Sequence, residues 1–200
     1  VHAAFSGNIT TADNTLLQLG AGNDLVLTHD ASNSSITNNT GNLNIGSDGL
    51  IKLQDAGANE TFAIFNDNGA VVLYNDNVAK LSTSANGITV TGTAVATTDT
   101  DTSNTGSITL DFATKQNFVL TLTGNVTLAN PSTEQVGQSG FIAFIQDGTG
   151  SRTVSLGTDY ETAAAAGLTL TATASATDLV PYLVVASNRI LLGTPQLAFA

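Results

Sequence analysis

"NFVLTLTGNVTLANP" (117–131) holds fifteen residues and no charge. Phe118, Leu120 and Leu122 alternate with Val119, Thr121 and Thr123; Val126 and Leu128 alternate with Thr127 and Ala129. A period of two is the pattern of a strand that buries one face. Gly124-Asn125 reads as a turn between two such strands. A two-residue loop there sets Leu122 against Thr127 and mixes apolar with polar residues on each face. A three-residue loop, Thr123 to Asn125, sets Leu122 against Val126 and Leu120 against Leu128. The apolar face is then continuous, so the expectation is a hairpin with the odd loop and Asn125 in the left-handed position. The threonine face is uncharged, and identical chains could meet there without repulsion.

The whole chain follows this example. It is 42% hydrophobic but only 10% charged, with 19 Gly and 3 Pro. Such a composition supports folded structure rather than disorder. Lys52, Lys80, Lys115, Arg152 and Arg189 face 16 acids, for a formal charge of -11. With no basic stripe to neutralise phosphates, nucleic-acid binding and attraction to an anionic membrane are excluded as leading readings. There is no Cys, Met or Trp, hence no disulfide or thiol chemistry. The longest apolar run, "LVPYLVVA" (179–186), is far shorter than a spanning helix and contains Pro181. The chain opens on Val1 without a signal-peptide pattern, as a processed product or a piece of a longer chain would.

Helical periodicity is absent apart from "ETAAAAG" (161–167), where Gly167 would end a short turn. The N-terminal half instead repeats. "LVLTHD" (25–30), "LIKLQD" (50–55) and "VVLYND" (71–76) share two aliphatics, a His/Gln/Asn and an Asp. Asp30 to Asp76, Gly41 to Gly87 and Gly46 to Gly92 are each 46 residues apart. This predicts degenerate β layers of about 23 residues, joined by "GN", "SDG" and "NDNG" turns. One thin layer cannot bury its own apolar side chains, so neighbouring layers or partner chains must cover them. Residues 93–106, "TAVATTDTDTSNTG", carry no large side chain except Val95, and 96–106 is expected to be a linker. Eight strands are then expected, over 107–112, 117–123, 126–129, 140–146, 152–156, 167–171, 179–186 and 189–193. That count suits a β-sandwich or jelly roll. The expected architecture is all-β: a repeat-containing, prism-like region over 1–95, the linker 96–106, and a β-sandwich or jelly-roll head over 107–200.

Reactive constellations are few. His29, Asp30 and Ser32 have the residue types of a triad but come from one short stretch, whereas a triad converges from separate elements. His29 also occupies the repeat position of Gln54 and Asn75, which marks a hydrogen-bonding turn position. The other histidine, His2, is terminal. "DTDTSNTG" (99–106) spaces Asp99, Asp101 and Ser103 like a calcium loop, but Leu110 stands where the twelfth-position glutamate belongs. As an Asp-x-Asp nucleophile it lacks a preceding hydrophobic strand. Glu60, Glu134 and Glu161 are the only glutamates, and nothing beside them marks a glycosidase pair. "GAG" (20–22) is no dinucleotide fingerprint. Sequons at Asn8, Asn33, Asn38, Asn59 and Asn125 are expected by chance in a chain this rich in Asn, Ser and Thr. No catalytic, cofactor-binding or metal-binding residues are therefore assigned.

"GNDLVLTHDASNSSITNNTGNLNIG" (22–46) and "NDNGAVVLYNDNVAKLSTSANGITVTG" (66–92) resemble repeat blocks of tail-fibre and other virion structural proteins of tailed bacteriophages, especially those of aquatic bacteria. "NFVLTLTGNVTLANP", "GQSGFIAFIQDGTGSRTVSLGTDY" and "LTLTATASATDLVPYLVVASNRILLG" resemble a module at the distal end of such fibres. The resemblance implies a homotrimeric, all-β component of the extracellular virion, bound to other virion proteins, with no shared catalytic residues. It leaves two jobs open: a fibre or spike that attaches to a host-surface polysaccharide or other receptor, or a capsid decoration or head-fibre protein that stabilises the particle. A polysaccharide depolymerase would need clustered acids and aromatics, whereas this chain has three Tyr and scattered acids. If it attaches, "GTDYETAAAAG" (157–167) is the most varied loop of the head. Asp159, Tyr160 and Glu161 are then the candidate receptor contacts, with Tyr160 stacking on a sugar or, alternatively, packing against a neighbouring subunit.

Overall fold

The computed structural model describes residue 10 and residues 12–199; His2 and the Asn8 sequon lie outside the described residues. The chain divides into two compact units, Val1–Gly92 and Thr93–Ala200. Among the described residues, the regular structure of both is almost all strand.

In the first unit, β1 (Leu16–Leu19), β2 (Leu25–His29) and β3 (Ser34–Asn38) form a three-stranded antiparallel sheet. A second antiparallel sheet runs in sequence order through β4 (Leu50–Gln54), β5 (Thr61–Asn66), β6 (Val71–Asn75), β7 (Val78–Ser84) and β8 (Gly87–Val90). The three repeat motifs are thus β2, β4 and β6, and "NDNG" joins β5 to β6. The closing aspartates of the first two motifs cap the turns that follow them. Asp30 accepts hydrogen bonds from the backbone N–H groups of Asn33 (2.6 Å) and Ser32 (3.0 Å). Asp55 does the same for Glu60 (2.6 Å) and Gly57 (3.2 Å). These bonds to the charged form hold both carboxyls below their ordinary range. The third motif turns differently: Asp76 and Asn77 take φ of 51° and 58°, which suits a two-residue hairpin turn.

The second unit contains one mixed eight-stranded sheet. Its strands are β9 (Thr98–Ile108), β10 (Asn117–Leu128), β11 (Ser139–Gln146), β12 (Val154–Leu156), β13 (Tyr160–Thr162), β14 (Thr177–Ala186), β15 (Arg189–Leu192) and β16 (Gln196–Phe199). All eight belong to one hydrogen-bonded network, instead of the two antiparallel sheets expected of a sandwich. The pairings β9–β10, β10–β11, β10–β12 and β13–β15 are parallel.

β10 corrects the expected hairpin. It runs unbroken for twelve residues, and Phe118, Leu120, Leu122, Val126 and Leu128 all point inward, each at most 2% exposed. The alternation never changes phase across Gly124, so no reversal is needed to keep one face apolar. What changes at Gly124 is the neighbour. β11 pairs with residues 118–122 and β12 with residues 126–128 of the same edge. Gly124 stands at an inward position where a Cβ would run into the Thr105 side chain, so the missing side chain makes room for β9. Asn125 uses its side chain, accepting from the Thr153 backbone N–H at 3.1 Å.

The expected linker is also corrected. Most of 96–106 lies in β9, which pairs with β10 from Thr98↔Asn117 to Ile108↔Leu128. β9 lacks large side chains because most of its residues face solvent. Asn104 is the buried exception, donating from Nδ2 to the Asp101 and Thr121 carbonyls at 3.1 Å each. Threonine supplies the strand preference that apolar residues supply elsewhere. The strands expected over 107–112 and 167–171 do not extend there: β9 stops at Ile108, and 167–171 lies outside the strands. β13 and β16 form instead.

One core holds this unit together. Leu110 and Phe112 join the inward residues of β10, Ile142 and Phe144 of β11, Val180, Tyr182 and Val184 of β14, and Ile190 and Leu192 of β15. Phe112 meets Tyr182 edge-on at 5.3 Å between ring centroids, a favourable aromatic geometry. The Tyr182 hydroxyl donates to the Gln116 carbonyl, which satisfies its polar end.

Candidate functional site

Among the described residues, the first unit offers an exposed apolar face. In the five-stranded sheet, Leu53, Ala63, Leu73, Leu81 and Val90 stand opposite one another across all five strands. Ile51, Phe65 and Val71 form a second row on the same face, which Ile88 continues on β8. Leu53, Phe65, Leu73, Ile88 and Val90 are all more than 40% exposed; Ala63, small and ringed by larger neighbours, is buried. No charged residue stands in these rows. The three-stranded sheet repeats the feature with the cross-strand row Leu17, Leu27 and Ile36, each at least 37% exposed. Water is a poor neighbour for such grids, and large exposed apolar patches mark interaction surfaces.

His29 sits at the end of β2, next to that row. Its Nδ1 is 3.1 Å from Ser34 Oγ, and its Nε2 is 3.9 Å from Asp13 Oδ1. Ser32, the remaining residue of the triad-like trio, donates its backbone N–H to Asp30, as a turn residue does. Both His29 and Asp13 are about half exposed, so neither is set in the dry environment that activates a nucleophile.

The three candidate contacts of the second unit separate by burial. Tyr160 is not a loop aromatic. It opens β13, pairs with Ile190, and is 5% exposed within the core. It is therefore not free to stack on a sugar. Burial, then the charges of Asp159 and Glu134, pushes its phenol well above the usual range, and its hydroxyl has no hydrogen-bond partner. Asp159 is 8% exposed; its backbone N–H donates to Asn130 Oδ1 at 3.1 Å and its carbonyl accepts from Ile190 N at 2.7 Å. Glu161 alone reaches solvent appreciably. Arg189 holds it through Nε–Oε1 at 2.8 Å and Nη2–Oε2 at 3.1 Å, and this partner lowers its carboxyl pKa. Beside Glu161 opens a shallow cavity of about 760 Å³ lined by Ser155, Thr158, Tyr160 and Thr162. The short helical expectation is met by a single 3-10 turn, Ala163–Ala165, at its rim.

Among the described residues, no three His, Asp or Glu side chains converge as metal ligands. The stretch with calcium-loop spacing, 99–106, lies in strand β9, where Asp101 accepts from the Ser103 backbone N–H at 3.0 Å. No helix among the described residues is long and apolar enough to cross a membrane.

Residues 102–186 match the family model described as "Putative phage tail fibre C-terminal domain". The matched span runs from within β9 to the end of β14 and so contains most of the second unit's core. No curated protein and no solved structure matches the chain.

Proposed function

We propose that this chain is a structural component of a phage tail fibre, carried on the virion, that assembles as a homotrimer and mediates attachment to the host-cell surface. The observation that carries the reading is the match of residues 102–186 to a tail fibre C-terminal domain. The same match favours a place on the tail over a capsid decoration or head-fibre role. In this reading the repeat region is the shaft, the C-terminal unit beginning with β9 is the head, and the chain has a structural rather than a catalytic role.

Trimer assembly is supported by the uncharged apolar face of the five-stranded sheet. Copies of a chain carrying a charge of -11 repel one another least where they meet through uncharged surface. Covering Leu53, Phe65, Leu73, Ile88 and Val90 removes five exposed large apolar side chains from water at a stroke.

Two measurements test the proposal. Antibodies to the purified chain should decorate tail fibres in negatively stained virions, and the purified chain should compete with virions for adsorption. Label confined to the capsid would reverse the assignment. Sedimentation at micromolar concentration should show three chains per particle, and Leu73→Asp should release single chains. A folded, monomeric wild type would refute the trimer.

A further inference from the structure

We infer that the outer face of the β11–β14 strand pair is a second contact between copies of this chain, made by the C-terminal unit. The inference rests on the self-association proposed above and adds a surface to it.

The starting point is a contrast between strands. β10 alternates, with threonine at Thr121, Thr123 and Thr127 on its outer side. β11 reads "SGFIAFIQ" and β14 reads "TDLVPYLVVA". Such near-continuous apolar runs belong to strands buried on both faces. Within this unit one face is fully buried and the other only in part. Ile142 and Phe144 of β11, and Val180, Tyr182 and Val184 of β14, fill the core. The residues between them point the other way. Phe141 pairs with Pro181, and Ala143 with Leu179, while Leu183 extends the patch beside Ser139. Phe141 is 46% exposed and Leu183 43% exposed. Leu191 continues the row from β15 without a charge; the first charges at this margin are Glu161 and Arg189, which neutralise each other.

The size of the patch identifies the occupant. Three strands about 4.8 Å apart, with same-face side chains about 6.8 Å apart, give a flat area on the order of 200 Å². An independent partner needs roughly 800 Å² per side to form a stable complex. A patch this small holds only a partner that is already tethered, because tethering replaces bulk concentration by a high effective concentration. Another copy of the chain, held through the repeat region, is such a partner. It also presents the same uncharged face, so no charge is buried unpaired on either side.

The absence of cysteine allows a clean test. Ser139→Cys places a thiol on this face, at an exposed residue paired with Leu183. Thr149→Cys places one in an exposed turn as a control. In the full-length chain at micromolar concentration, maleimide should modify S139C at least tenfold more slowly than T149C. The difference should vanish when Phe141→Glu is added to S139C. Equal rates in particles that contain several chains would overturn the inference and leave association through the repeat region standing. Single-chain particles in sedimentation would overturn both. Protection of S139C that develops only within assembled virions would assign the face to a different virion protein and also overturn the inference.

Discussion

Asp178 and Thr171 close the C-terminal unit around a buried carboxylate. Asp178 is 1% exposed, and its Oδ2 accepts from the Thr171 backbone N–H at 2.6 Å while Oδ1 accepts from Thr171 Oγ1 at 2.8 Å. Ala198 N–H adds a third bond to Oδ1 at 2.9 Å. One side chain thus fastens the irregular segment before β14 and the C-terminal strand β16 to the same point. Three donors converging on a carboxylate leave no room for a donor in its place. Asp178→Asn sets an amide N–H against one of them and should destabilise the unit by about 2–3 kcal/mol, read as a lowered thermal midpoint.

Gly124 is the position where β10 changes neighbours. Gly124→Ala pushes a methyl group into Thr105 and should cost about 1–3 kcal/mol. Pairing it with Thr105→Gly removes the clash, so denaturant midpoints of the double variant should recover most of the loss. Failure to recover would mean that the β9–β10 contact is not what excludes the side chain.

Tyr160 packs as a core residue with an unpartnered hydroxyl. Tyr160→Phe deletes the unsatisfied group and should leave stability unchanged or raised by up to about 1 kcal/mol. Tyr160→Ala opens a cavity and should cost about 3–5 kcal/mol. Virion adsorption should be competed by the Phe variant as well as by wild type; a loss of competition with normal melting would show that the hydroxyl contacts a receptor.

The turn between β11 and β12 supplies a pH dependence. Arg152 grips Asp147 through Nε at 3.1 Å and Nη2 at 2.8 Å, and the backbone N–H groups of Gly150 and Thr149 add to it. Together these lower the Asp147 carboxyl to about 2. A depressed carboxyl pKa means stability that is fully present above the unfolded value of 3.8 and is lost as pH falls through about 2. Thermal midpoints of wild type and Asp147→Asn should therefore differ near neutrality and converge as pH approaches 2. Parallel curves across that window would refute the linkage.

Local chemistry was legible in the sequence. The all-β character followed from threonine, valine and glycine without helical periodicity. The repeat strands β2, β4 and β6 followed from their shared motif, because a strand that buries one face must alternate and a turn must be capped. His29 stands with Gln54 and Asn75 at the ends of these strands, as the repeat alignment implied. The uncovered apolar faces were also foreshadowed, since thin layers hold too few residues to cover themselves.

Pairing partners were decided only by the tertiary structure. "NFVLTLTGNVTL" is equally compatible with a hairpin and with one long strand, because both keep Leu122 and Val126 on one face. The choice depends on whether another strand is available at Gly124, and β12 comes from about thirty residues further on. β9 was invisible for a related reason: an edge strand facing water needs hydrogen bonds from β10, not apolar side chains of its own. Burial of Tyr160 was hidden as well, because its neighbour Ile190 is thirty residues away and meets it through a parallel pairing that no local pattern records. Periodicity reports which face of a strand is apolar; long-range pairing determines what that face meets, and two strands with the same alternation can satisfy it with different partners.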